Sequence, residues 1–210
     1  MRVYGKLARL ASIMMYFFCF ATAQRGFAAP IVALGVQGGA FFSRTSLSGL
    51  SSATQPGWDM KIAGIIESSD VFATNADAAG TSGALVAAFS GRLQTDFFGF
   101  GTSLPQNDGN LYRAWQGVGL SLLGGLRTKA FALPFGLRAS ARVEAGAGLR
   151  ATKYSGTGLV GANAAILGQA GMDILVLKNI TLGIALPLEY AWKSGGRAFM
   201  FGLGGAVRYR

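Results

Sequence analysis

Arginine and carboxylate side chains recur at even spacing in this 210-residue chain. Arg92 and Asp96 form one set, Arg138, Arg142 and Glu144 a second, and Glu189 stands on a later apolar stretch. Even spacing puts such residues on one face of a β-strand, because side chains alternate there with period two. Acid–base catalysis is served best by histidine, whose charge changes near neutral pH, and the chain has no histidine. An Asp/Glu or Ser–Lys mechanism would need a matched pair, and the nine acidic residues form no convincing one in the pattern. The expectation is therefore a protein that is not an enzyme, with no metal and no cofactor. What remains is electrostatics in an enclosed space. Arg–carboxylate pairs could plug an interior and hold it rigid. Alternatively, an arginine shifting between carboxylates could open a narrow path for small solutes.

The elements that carry these residues are ribbons with one greasy side. In "PFGLRASARVEAGAGLR" (134 to 150) the odd positions are apolar throughout, from Phe135 to Leu149. The even positions are Gly, Arg, Ser, Arg, Glu, Gly, Gly and Arg. The same alternation runs through 31–42, 58–67, 85–99, 111–125, 159–173, 181–193 and 198–210. Within them Val32 to Phe42, Trp58 to Ile66, Phe89 to Phe97, and Tyr112 with Val118 to Leu122 supply apolar faces. So do Val160 to Met172, Leu182 to Trp192, and Phe199 to Tyr209, while Ile65 breaks the polar face of its own strand. Eight such strands are predicted. Their length exceeds the roughly 5–6 residues of soluble strands and suits a tilted membrane crossing of about 9–11 residues plus ends. Segments 43–57, 100–110 and 151–158, rich in Ser, Thr, Gly, Asn and Pro, read as loops on one rim, with a tight turn near 194–196. Segments 68–83, 126–133 and 174–180 read as turns on the other rim, beside both termini. Pro187 falls on a polar, inward face and lacks a ladder donor, so a bulge or irregularity is expected there.

The fold class expected is all-β: one eight-stranded, antiparallel, up-and-down transmembrane β-barrel over residues 24–210. A soluble sandwich would invert the faces, but only 13% of the chain is charged, and a soluble surface carries more Lys and Glu than these faces hold. A helical span at 154–172 conflicts with five glycines and with the alternation. Residues 1–23 read as an export signal: Arg2, Lys6 and Arg9, then the apolar run 10–23, then Ala21-Thr22-Ala23. A retained N-terminal anchor is the alternative. Removing the signal takes three basic residues from a net charge of +10, leaving +7, and removes Cys19, the only cysteine. The basic residues are scattered, with no stripe that would track nucleic acid.

With signal, eight alternating strands, no mature cysteine and Phe or Tyr at strand ends, the chain resembles small bacterial outer-membrane β-barrels, the OmpA transmembrane domain and OmpW-like barrels. The resemblance is of pattern and covers residues 30–210. It departs from such proteins in ending "VRYR" where an aromatic residue is usual. It implies outer-membrane lipids and the barrel-assembly machinery as partners. From the OmpW-like barrels it also implies a hydrophobic channel, for which inward Phe41, Leu159, Leu167 and Met200 would be suitable lining. Small or hydrophobic solutes passing the lumen are one expected function, alongside plain envelope structure. The second is adhesion or antigenic display through outer loops. There Arg44, Lys153, Lys193 and Arg197 would meet anionic head groups or host surface molecules.

Overall fold

A computed structural model describes residues 30–72, 86–103, 112–155, 160–193 and 196–210. The export signal, Cys19, Leu85 and Leu159 lie outside the described residues, as does most of the 68–83 segment.

Eight long strands form the wall: β1 (Ile31–Leu47), β2 (Ala53–Glu67), β3 (Val86–Phe100), β4 (Trp115–Thr128), β6 (Arg138–Tyr154), β7 (Val160–Leu177), β8 (Ile180–Lys193) and β9 (Gly196–Tyr209). A two-residue strand, β5 (Phe131–Ala132), adds to the edge of β6. Each long strand pairs antiparallel with its neighbours in sequence, β9 pairs back onto β1, and β4 pairs with β6 across the β5 turn. The sheet is therefore closed. Closure leaves no unpaired edge, the condition a sheet must meet in hydrocarbon, where no water serves stray N–H and C=O groups. β1 begins and β9 ends on the same rim, the inner one; the opposite rim is the outer one.

The faces are inverted relative to a soluble protein. Leu34, Ile62, Leu93, Leu120, Val143, Ile166, Ile184, Leu186 and Leu203 point out from the wall and are 51–65% exposed. Gln37, Lys61, Arg92, Glu144 and Asp173 point inward and are at most 4% exposed. Exposed large apolar residues on every strand make a continuous belt, which water would penalise and lipid accepts. The chain is a membrane-spanning barrel.

Several boundaries differ from the sequence expectation. Residues 43–47 and 53–57 are strand, not loop. Ser43, Thr45 and Gln55 are fully buried in the lumen, and the Thr45 hydroxyl donates to Gln55 Oε1 at 3.0 Å. In a barrel the polar face points inward, so a Ser/Thr-rich stretch continues the alternation. Likewise β4 runs on to Thr128 and β7 to Leu177, beyond the expected ends at 125 and 173. Conversely, β6 starts only at Arg138. Pro134–Gly136 form a 3₁₀ turn, with Phe135 and Gly136 at φ of 65° and 73° and Phe135 99% exposed. Proline lacks the ladder donor, and glycine accepts positive φ without cost. Tyr112 leaves the expected apolar face: it lies before β4, buried, its hydroxyl donating to the Ser51 carbonyl at 2.6 Å. Ala139, opposite Phe131 of β5, is covered too. Ile65 is not a blemish; with Ala33 and Ala63 it forms a small apolar patch inside. At Pro187 the expected disturbance takes the form of an interrupted ladder and not of a bulge. The β8–β9 ladder is interrupted between Ala185↔Gly204 and Leu188↔Phe201 with its register unchanged. The register shifts lie elsewhere, at Val86/Ala88 and Leu175/Leu177.

The wall position decides the cost of a charge. Leu186→Arg, in the middle of β8, is expected to lower stability in lipid vesicles by about 2–4 kcal/mol, and Leu177→Arg, at the inner end of β7, by no more than about 1 kcal/mol. Denaturant titration of vesicle-inserted protein measures both.

Candidate functional site

Among its described residues the chain concentrates charge in the lumen. Six of its nine acidic residues point into it: Asp59, Glu67, Asp96, Glu144, Asp173 and Glu189. Six basic residues face them: Lys61, Arg92, Arg127, Arg142, Arg150 and Arg208. None of the twelve is more than 9% exposed. A buried charge without a partner costs several kcal/mol, so this concentration exists only because it is paired.

The pairs fall into two groups along the barrel. The inner group is centred on two carboxylates. Glu144 accepts from Arg92 Nε at 2.9 Å, from Arg142 Nη1 at 3.0 Å, and from the Gln169 amide. Asp173 accepts from Arg127 Nη2 at 2.9 Å and Arg208 Nη1 at 3.0 Å, with Arg142 Nε 3.4 Å away. Glu67 pairs with Arg127 and Arg208. The guanidinium fork lets one arginine join two acids on different strands, which an ammonium on a flexible stem does less well. In the outer group, Arg150 grips Glu189 through two parallel bonds of 2.7 Å and reaches Asp96 at 2.8 Å. Lys61 sits between Asp59 and Asp96. Gln94 and Ser121 donate to Asp96 at 2.9 and 3.1 Å.

Both ends are stoppered by rings. Toward the outer rim, Phe41, Phe98, Phe100, Trp115, Leu167 and Met200 form one apolar cluster. Phe100 stacks on Trp115 at 4.6 Å, and Trp115 Nε1 donates to Gln55 Oε1 at 3.0 Å. At the inner mouth the buried Phe72 ring lies under Arg127 and Arg210, with centroid distances of 5.6 and 4.9 Å. The Phe72 carbonyl accepts from Arg138 Nη1 at 2.6 Å. Inward glycines leave room for the large pairs. A Cβ on Gly125 would come 2.5 Å from Glu144 Cγ, and one on Gly171 3.1 Å from Arg142 Cζ.

Of the residues singled out in the sequence, Arg92, Asp96, Arg142, Glu144 and Glu189 meet in this network. Arg138 does not join it; it sits half-buried at the inner mouth against the Phe72 backbone. Phe41, Leu167 and Met200, the expected channel lining, are inward and packed together in the outer apolar cluster. Arg44, Lys153 and Arg197 are exposed at the outer rim, and Lys193 closes β8 there. The sequence reading left Asp59, Lys61, Glu67, Asp173 and Arg208 outside the network, although each lies on a polar face in the alternation. Arg127 was missed because the sequence expectation ends β4 at 125, three residues short of Thr128. Arg150, the last polar-face residue of the 134–150 stretch, bridges Asp96 and Glu189.

No protein-family model and no curated protein matches the chain. Among solved structures, it is similar to the attachment invasion locus protein Ail of Yersinia pestis, solved in complex with the heparin analogue sucrose octasulfate. That likeness has 14% identity and a TM-score of 0.37 over 85% of this chain and 99% of that one. It is similar to Neisserial surface protein A at 14% identity and TM-score 0.43, over 84% and 97%. The translocator domain of autotransporter NalP from Neisseria meningitidis matches at 12% and 0.29, over 100% and 99%. At these scores the likeness carries no argument about residues or activity.

Glu144 is the acid whose loss strands most. Glu144→Ala leaves Arg92 without its carboxylate and Arg142 with only the longer contact to Asp173. The expected loss is about 3–5 kcal/mol, and the double change Arg92→Met with Glu144→Met is expected to cost distinctly less. Chemical unfolding followed by tryptophan fluorescence distinguishes the two.

Proposed function

We propose that the chain is an integral outer-membrane protein, exported and cleaved after Ala23, whose barrel is a solid wall element of the envelope. The observation that carries this reading is the filled lumen. Twelve charged residues at 9% exposure or less leave neither group open to bulk water, with a packed aromatic layer beyond the outer group and the Phe72 ring over the inner one. An eight-stranded barrel is just wide enough for its side chains to fill it, and here they do. The apolar belt supports lipid on all sides as the principal partner, and insertion would rely on the barrel-assembly machinery.

A gated path for small or hydrophobic solutes is the competing reading of the same lumen. It requires the arginines to change partners. Arg150, with three bonds to two acids, and Arg142, between Glu144 and Asp173, are the side chains that could do so. Conductance separates the readings. Residues 24–210, refolded in detergent and inserted into a planar bilayer, are expected to stay at the background level. Glu144→Gln is expected to weaken the resistance of the barrel to heat without making the parent's silence depend on it. Discrete steps in the parent that change with Glu144→Gln would reverse the assignment in favour of a channel.

A further inference from the structure

Among the described residues the lumen is electrically balanced, with six acids and six bases, so their excess positive charge sits on the rims. At the outer rim Arg44 and Arg197 stand on the lipid side of the wall, not in the lumen. On β1 the outward residues run Ala40, Phe42, Arg44 and Ser46 toward the rim. Opposite them on β9 lie Leu203, Phe201, Phe199 and Arg197. On β8, Leu188, Tyr190 and Trp192 face Phe201, Phe199 and Arg197. The wall therefore grades from aliphatic to aromatic to basic over three adjacent strands. Phe42 stacks on Phe201 at 5.7 Å, and Phe201 on Phe199 at 5.8 Å.

At the top of this gradient is a hollow lined by Arg44, Ser46, Ser52, Tyr190, Arg197 and Phe199. Arg44 is opposite Phe199, so Arg197 is its diagonal neighbour, roughly 7–8 Å away between backbones. Two guanidiniums at that separation can converge on one anion. Among the described residues Arg44 reaches the Ser52 hydroxyl, at 3.4 Å. Among the described residues the ion pairs lie in the lumen and at the inner mouth, and none includes Arg44 or Arg197.

We infer that this hollow binds the headgroup phosphate of an anionic lipid. The two arginines hold the phosphate, and the acyl chains descend over the Phe42, Phe199 and Phe201 rings. The occupant is a lipid because the cations open sideways onto the apolar wall, where a free anion would gain nothing from the aromatic slope. The inference rests on the outer-membrane reading given above.

The test is native mass spectrometry of the folded barrel purified from membranes in detergent, titrated with phosphatidylglycerol, phosphatidylcholine or inorganic phosphate. The parent is expected to retain phosphatidylglycerol at a roughly thirtyfold lower concentration than Arg44→Gln/Arg197→Gln. Phosphatidylcholine should show no such gap, and excess inorganic phosphate should leave the lipid in place. Lys153→Gln, exposed on the same rim but outside the hollow, should behave as the parent. Equal retention by parent and double variant would overturn the site. So would an equal loss with Lys153→Gln, or displacement by inorganic phosphate. A barrel that fails to insert into bilayers removes the outer-membrane reading itself; one that inserts without discriminating removes this site alone.

Discussion

A carboxylate sealed within a narrow barrel has no solvent to turn to. It must find its positive partner on another strand, and that partner must find it. The rest of this molecule follows from that demand. Glu144 on β6 is met from β3 by Arg92, from its own strand by Arg142, and from β7 by Gln169. Asp173 on β7 is met from β4, β6 and β9. Ladder hydrogen bonds join neighbours only; Arg92–Glu144, Arg127–Asp173 and Arg208–Asp173 reach further, across the bore. They tie together strands that share no edge, and they fix which residue lies at which height. A one-residue slip of any strand would send its charges into lipid and its aliphatic residues into the lumen.

The same demand explains the choice of residues around the charges. Five of the six cations are arginines, which can serve two acids at once. Glycine stands where the bulk of a pair would otherwise strike the wall, as at Gly125 and Gly171. Where the charges stop, rings begin. Phe98 and Phe41 lie beneath Arg150 and Lys61, at 5.9 and 5.5 Å, and Phe72 beneath Arg127, so each end of the network meets the negative face of a ring.

Much of this was legible in the sequence, because period two is a property of the chain itself. The closed barrel, the outward apolar sets and the inward charges of β3 and β6 can all be read from alternation. What failed to read were places where composition argued against period. Ser43, Thr45 and Gln55 looked like loop because small polar residues usually mark loops; inside a barrel they are core. Arg127 was lost to an early strand end. Phe135 continued the apolar count, yet Pro134 and Gly136 bend the backbone away before the strand begins. Partnerships across the bore were beyond reach for a different reason. Which arginine meets which acid depends on strand stagger, and Glu67 with Arg208 is a pairing over 141 positions that no local pattern records.

That long pairing bears on how the molecule is made. Arg208 lies near the end of β9, the last barrel strand to leave the ribosome, and Arg210 just beyond it caps Phe72 and holds Asp70. Until they arrive, Glu67 and Asp173 each lack one of their guanidiniums, and the inner mouth lacks one of its covers. A chain stopped short by even a few residues would close with Glu67 and Asp173 under-neutralised inside the lumen.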